Sequence, residues 1–135
     1  MNRFLRPLRT FSGRCSLVNE RTGSVIASVV EPALDAKSRR KGLLGRDRLD
    51  DEHALLLAPC GAVHTIGMRF PIDVLFVGPD GRVVKIVERL RSWRVAGAMR
   101  ACFTVELAAG SVERSDVSTG DRLAIQPVSA SSGRS

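Results

Sequence analysis

The stretch that decides the fold is "PIDVLFVGPDGRVVKIVERL", residues Pro71 to Leu90, in which two apolar runs flank one turn. "GPDG" has Pro at the second turn position and Asp-Gly after it, which is typical of a tight turn. Ile72–Val77 is dense in β-branched and aromatic residues, and Arg82–Glu88 partly alternates between polar and apolar residues. These residues predict a β-hairpin.

The flanking segments predict further short strands. "RCSLVNERTGSVIASVV" favours a second hairpin with strands Cys15–Val18 and Val25–Val29, while "ALLLAP", "CFTVELAAG" and "DRLAIQPV" indicate three more strands. The one convincing helix lies in "EPALDAKSRRKGLLGRDRL", where Ala36 to Leu44 are mostly helix formers. "SVERSDVSTGD" favours only a short helical turn.

This pattern predicts a mainly β fold (β-rich α+β), a compact antiparallel sandwich or barrel-like domain with one short helix. A doubly wound fold is disfavoured because no regular βαβ alternation is visible. A chain of 135 residues is one domain by length. We expect the domain to span residues 13–127, between a flexible basic arm at 1–12 and a flexible tail at 128–135.

The charge and composition restrict the partners. The net charge of +7 favours an anionic partner, but a basic soluble surface accounts for it more simply than a dedicated phosphate-binding face. With five Phe, one Trp and no Tyr, the chain is poorly suited to stacking single-stranded nucleic acid. Nucleic-acid binding through the arginine clusters therefore stays an alternative and is not favoured.

The cysteines and the N-terminus indicate a cytoplasmic protein. Three cysteines without a CxxC spacing build neither a disulfide framework nor a four-ligand zinc motif. "MNRFLRPLRTF" contains no apolar signal region, and no window reaches the length of a membrane span. We therefore expect a reducing compartment and no membrane partner.

Three polarisable residues, Cys60, His64 and Met68, are spaced four apart in "APCGAVHTIGMRF". On a helix such neighbours lie about 6 Å apart, but along a strand they are separated by about 13 Å. Gly61, Gly67 and the β-branched residues between them favour an extended backbone. A shared metal site within this segment is therefore rejected, although Cys60 and His64 can still point into one cavity.

Asp73 and Glu106 are carboxylates within strongly apolar runs. An unpaired buried charge costs several kcal/mol, so each must face solvent or find a partner inside. A structural role, in which each ties down a backbone turn or an arginine, is favoured. The alternative is an acid–base pair whose pKa values are tuned by burial.

The order of several motifs resembles the domain of unknown function 192 family, small and mostly bacterial proteins without an established role. The motifs are "GLLGR" after a basic helix, "PIDVLFV" before an Asp-Gly turn, "VELAAG" and a late "GD", and the resemblance covers about residues 15 to 126. It implies a compact β-rich fold with a shallow pocket near "HT…PID". It also implies that Trp and His alternate at position 64, which does not suit a strict metal ligand.

The function that we expect is non-catalytic binding of a small ligand or a protein partner, with no cofactor and no metal. The alternative is a metal-binding or Cys/His-dependent enzyme in which His64 acts with Cys60 and a carboxylate. The oligomeric state is not predicted. The candidate pocket residues are Cys60, His64, Thr65, Met68, Asp73 and Glu106, and the candidate basic face consists of Arg39, Arg40 and Arg46.

Overall fold

The structure, a computed structural model, describes residues 2–128. It contains three short helices, α1 (Arg6–Thr10), α2 (Ala36–Lys41) and α3 (Ser111–Ser115). The strands are β1 (Cys15–Asn19), β2 (Val25–Ala27), β3 (Val29–Ala33), β4 (His53–Leu57), β5 (Ala62–His64), β6 (Ile72–Val77), β7 (Val83–Leu90), β8 (Val95–Gly97), β9 (Phe103–Ala108) and β10 (Leu123–Pro127).

The strands form three sheets, which confirms a β-rich α+β sandwich. A central sheet has the order β3-β4-β9-β6-β7, a smaller one has the order β10-β1-β2, and β5 pairs with β8 in a two-stranded ribbon. None of the sheets within residues 2–128 closes into a barrel. Both predicted hairpins are confirmed, since β1 pairs with β2 and β6 pairs with β7, each antiparallel.

The central sheet is buried on both faces. One face packs on the β10-β1-β2 sheet, and Leu17, Leu75 and Leu107 belong to the apolar core between them. The other face carries a second apolar cluster, to which Leu55 and Val74 of the sheet contribute. This second face is covered by the segment after α2 and by the β5–β8 ribbon, so any site built on it lies between those two elements.

Two parts of the topology differ from the sequence prediction. The predicted strand Val25–Val29 is divided, because β3 leaves the small sheet at Ser28 and joins the central one. There β3 pairs with β4 in parallel, whereas an antiparallel domain was expected. A parallel pair needs a crossover connection, and α2 lies within it. The predicted helix corresponds to α2, which ends at Lys41 immediately before Gly42. α3 lies in "SVERSDVSTGD", where a short helical turn was expected, and α1 was not predicted.

The N-terminal segment contributes two side chains to the first core, while the flexibility expected of residues 1–12 stays a prediction. Phe4 and Leu5 are buried, and the Phe4 ring lies 5.2 Å from the Phe103 ring, centroid to centroid. The arginines around them are exposed, so the basic composition of the segment hides two apolar anchors. Of the predicted tail at 128–135, all but Val128 lies outside the described residues. No helix within residues 2–128 is long and apolar enough to span a membrane.

Candidate functional site

A cleft of about 360 Å³ opens on the second face of the central sheet. One side is formed by α2 and the turn after it, from Arg39 to Leu44, and the other by β5 and Met68. Leu57 of β4 and Glu106 of β9 line it from the sheet. The lining thus combines apolar side chains with one carboxyl at the floor and basic side chains of α2 at the rim. Small-molecule sites likewise combine apolar walls with a few placed polar groups.

Glu106 is the buried polar group of this cleft. Its residue is 4% exposed, and Oε1 has no hydrogen-bond partner within residues 2–128. Its neighbours on the adjacent strands, Leu55 and Val74, are both apolar. A Cβ atom placed on Gly42 would lie 3.9 Å from Oε1, so the carboxyl reaches the C-terminal end of α2. A buried oxygen without a partner is costly, which makes this atom a candidate contact for a ligand.

Burial raises the pKa of Glu106 from its ordinary value to about 7, and the positive charge of Arg46 opposes part of this effect. Near neutral pH the carboxyl therefore exists in both protonation states. The protonated form donates one hydrogen bond and the ionised form only accepts. The Glu106 carboxyl at the floor of the cleft can therefore form a hydrogen bond with either a donor or an acceptor group of a ligand.

The three arginines of the predicted basic face have different positions and different hydrogen-bond partners. Arg39 lines the cleft but is used structurally, because its Nη1 donates to the carbonyls of Leu34 at 3.0 Å and Ala58 at 3.2 Å. Arg46 does not line the cleft, since its guanidinium donates to both carboxylate oxygens of Glu31, at 2.9 and 3.3 Å. Arg40 is exposed at the rim of the cleft.

Cys60, His64 and Met68 all line the cleft, as the sequence analysis expected for a shared cavity, and their role stays a prediction. The Cys60 thiol donates to the carbonyl of Ala62 at 3.1 Å, and His64 Nδ1 accepts the backbone N–H of Ile66 at 3.3 Å. The side chains of Cys60 and His64 are therefore each hydrogen-bonded to a backbone group two residues away in sequence.

The backbone of this segment is extended only in part. β5 covers Ala62–His64, and a turn then follows in which the N–H of Met68 donates to the carbonyl of Thr65 at 3.0 Å. Gly67 provides the positive φ of 83° that this turn requires. Within residues 2–128, no three His, Cys, Asp or Glu side chains are grouped so as to hold a metal ion.

Asp73, a predicted pocket residue, does not line the cleft. It is fully buried and accepts three backbone N–H groups, those of Arg89 at 2.8 Å, Gly110 at 3.1 Å and Val112 at 2.9 Å. It pairs with Leu107, which belongs to the core on the first face of the sheet. Asp73 thus ties the end of β7 to the start of α3, which is the structural role that the sequence analysis favoured.

Thr65 is also buried and lies outside the lining of the cleft. Its hydroxyl donates to the carbonyl of Arg91 at 2.6 Å and accepts the N–H of Arg94 at 2.9 Å. The N–H of Trp93, between them, donates to the carbonyl of Thr65 at 3.1 Å. Thr65 therefore fastens the β7–β8 turn, in which the exposed Trp93 adopts a positive φ of 64°.

Sequence reasoning missed several residues that complete the cleft. Lys41 stands at its rim, and Leu43, Leu57 and Val63 form apolar walls. The run "SRRK" pointed to Lys41 as much as to its two arginines. The three apolar residues gave no comparable signal, because which of them face the cleft depends on the turn at Gly42 and on how the sheets pack.

A family model describing an uncharacterised ACR, DUF192, matches residues 17–125. The chain belongs to the DUF192 family. The match covers most of the chain and confirms the resemblance seen in the sequence motifs. The comparison with curated proteins finds no match.

Two crystal structures share the DUF192 chain's fold. One, from Sinorhizobium meliloti 1021, is described as a "putative transcription regulator"; it is 28% identical, with a TM-score of 0.73, over 83% of this chain and 92% of that one. The other is a protein of unknown function from Novosphingobium aromaticivorans DSM 12444, which is 23% identical, with a TM-score of 0.70, over 82% of each chain. The second likeness shows the fold alone.

Proposed function

We propose that this DUF192 protein binds a small molecule in the cleft between α2 and β5, without catalysing a reaction. The observation that carries the proposal is Glu106, a residue of the cleft lining whose buried Oε1 has no hydrogen-bond partner within the described residues. Buried polar groups are nearly always satisfied, and an apolar residue at this position would avoid the cost. A ligand with a polar group supplies the missing partner.

The size and composition of the cleft support the same proposal. A volume of about 360 Å³ lies at the lower end of the range for small-molecule sites. Leu43, Leu57 and Met68 offer apolar contact area around a single buried polar atom. Apolar walls provide affinity in such sites, and one placed polar group orients the ligand.

Native mass spectrometry and NMR together test the proposal. Freshly purified protein is examined for a retained small molecule, and a library of polar fragments is then screened by the shifts of backbone amides. We expect fragments to shift the amides of Gly42, Val63 and Met68 in the wild type and to lose this effect in Glu106→Leu. Glu88→Leu, a change at an exposed residue of β7, is the control that keeps the effect.

Two outcomes would remove the binding proposal. One is that no fragment shifts the amides of the cleft and no molecule is retained on purification. The other is that the fragments shift those amides equally in the wild type and in Glu106→Leu.

The alternative of a Cys/His-dependent enzyme is tested by alkylation. If His64 activates the Cys60 thiol, His64→Gln slows the reaction of Cys60 with iodoacetamide at low pH. We expect no such change, because the Cys60 thiol donates to the Ala62 carbonyl and His64 accepts from Ile66. Cys15 provides an internal reference, since it is buried and its burial raises the pKa of the thiol.

Nucleic-acid binding is a second candidate, supported by the net charge of +7 and by the description of the Sinorhizobium meliloti relative. It predicts retention on heparin and a steep loss of DNA affinity with rising salt. The engagement of Arg46 by Glu31 and of Arg39 by backbone carbonyls leaves less of the α2 region for phosphates. We therefore expect weak binding that does not depend on DNA sequence.

A further inference from the structure

The floor of the cleft restricts the chemistry of its ligand. Glu106 Oε1 needs a hydrogen-bond partner, and the carboxyl is buried between apolar neighbours on both adjacent strands. A hydroxyl group donates to a carboxylate and accepts from a carboxylic acid, so it satisfies this oxygen in either protonation state. An ammonium group suits only the ionised form, since it has donors and no acceptor.

The rim restricts the charge of the ligand. Arg40 and Lys41 are exposed at the mouth, and neither forms an ion pair with an acidic side chain in the part of the chain that the structure describes. Arg39 adds a third positive charge on the same helix. Against these charges, the cleft contains one carboxyl, which lies at its buried end. The electrostatic field at the mouth therefore attracts anions and repels cations.

We infer that the ligand of this cleft is a small organic anion with an apolar body. Its charged end pairs with Arg40 and Lys41, and a hydroxyl at its other end hydrogen-bonds to Glu106. This inference rests on the proposed binding function and adds the chemical class of the ligand. The apolar body packs against Leu43 and Met68 between the two polar ends.

Four probes with the same carbon chain separate these contributions. They are 6-hydroxyhexanoate, hexanoate, 1,6-hexanediol and 6-amino-1-hexanol, titrated into the full chain and followed by the amide shifts of Gly42, Val63 and Met68. We expect 6-hydroxyhexanoate to bind best. Loss of the carboxylate weakens binding about fivefold, as for two exposed ion pairs, and loss of the hydroxyl weakens it by a similar factor. The amino alcohol binds weakest.

Variants of the rim locate the charge contribution. In the double variant Arg40→Gln/Lys41→Gln, we expect 6-hydroxyhexanoate to bind no better than 1,6-hexanediol, while the affinity for the diol is unchanged. The matched control is Lys37→Gln/Arg48→Gln, which removes the same charge at exposed positions outside the cleft and keeps the preference for the anion. All four positions lie outside the buried core, so both variants are expected to fold.

The outcomes distinguish failure of this inference from failure of the binding proposal. If the diol or the amino alcohol shifts the cleft amides as strongly as the anions do, the ligand class is wrong and the binding function stands. If the anion preference survives in the Arg40→Gln/Lys41→Gln variant, the assigned contacts are wrong. If none of the four probes shifts the cleft amides at millimolar concentration, the inference fails, and the fragment screen decides the binding function separately.

Discussion

Asp73 on β6 and Glu106 on β9 point to opposite faces of the central sheet. In the antiparallel register Asp73 pairs with Leu107 and Glu106 pairs with Val74, and directly paired residues share a face. Asp73 therefore belongs to the sandwich core and Glu106 to the cleft. The two carboxylates cannot form an acid–base pair, although they are neighbours by strand order.

The first prediction concerns Asp73. Asp73→Ala removes the acceptor of three backbone N–H groups, and those of Gly110 and Val112 then stay buried without a partner. We expect a loss of about 3 kcal/mol in the free energy of unfolding, because hydrogen bonds to a charged acceptor are the stronger ones. Urea denaturation measures it. Asp47→Ala, which removes only an exposed ion pair with Arg69, is expected to change stability little. Equal losses in both variants would contradict the anchoring role of Asp73.

The sequence predicts those parts of this structure that depend on interactions between residues close together in the chain. The β6–β7 hairpin follows from "GPDG". The capping box of Asp35 with Ser38 at the start of α2 is equally local, although the sequence analysis did not name it. A short apolar run such as "ALLLAP" does not reveal strand direction, so the parallel pairing of β4 with β3 was not predicted. The contact of Phe4 with the core was not predicted either, since it depends on a distant strand residue, Phe103.

The sequence predicted only those parts of the candidate site that lie within one segment of the chain. Cys60, His64 and Met68 lie close in sequence and line one cleft, as expected for one segment. The grouping of Asp73 with Glu106 required the register of β6 against β9, which neither segment contains. Lys41 and Leu43 reach the cleft because Gly42 ends α2 at a positive φ of 47°, a turn whose direction the sequence alone does not give.

The second prediction concerns Thr65. Thr65→Val keeps the shape of the side chain but removes the hydroxyl that joins the Arg91 carbonyl to the Arg94 N–H. We expect a loss of about 1–2 kcal/mol in stability and faster hydrogen exchange at the amide of Arg94. Thr22→Val, at an exposed turn residue, is the control. Unchanged exchange at Arg94 in Thr65→Val would show that the turn is held by other contacts.

The third prediction concerns acid stability and Asp121. This nearly buried carboxylate accepts hydrogen bonds from Arg21 at 2.6 Å, Asn19 at 2.8 Å and the Ser118 N–H at 2.8 Å. The bond from Arg21 is the largest cause that lowers the pKa of Asp121 from 3.8 to about 2. Because the folded pKa lies below the unfolded one, the stabilisation is present above about pH 4 and is lost as the pH falls towards about 2.

Urea denaturation between about pH 5 and pH 2 measures this effect. Asp121→Asn is expected to be less stable than the wild type at pH 5 and to lose less stability on acidification. Glu31→Gln serves as a comparison, since hydrogen bonds from Arg46 lower the pKa of Glu31 as well and its contribution also disappears on acidification. If Asp121→Asn follows the wild-type curve down to the lowest pH, the assignment to Asp121 is wrong.

The fourth prediction concerns Glu106, whose titration changes stability with pH in the opposite direction to that of Asp121. Burial raises the pKa of this carboxyl from 4.5 to about 7, so the folded protein holds a proton that the unfolded chain has already released. Stability therefore falls as the pH rises from about 4.5 to about 7 and levels off above that range. A shift of this size corresponds to about 3 kcal/mol. The positive charge of Arg46 opposes part of this effect.

Glu106→Gln tests this by removing the titration while keeping a neutral polar side chain in the cleft. We expect the fall in unfolding free energy between pH 5 and pH 7 to disappear in Glu106→Gln and to persist in Glu88→Gln, which changes an exposed glutamate. Thermal and urea denaturation at several pH values measure it. A fall of the same size in Glu106→Gln would assign the titration to another group and remove the buried carboxyl as the polar centre of the cleft.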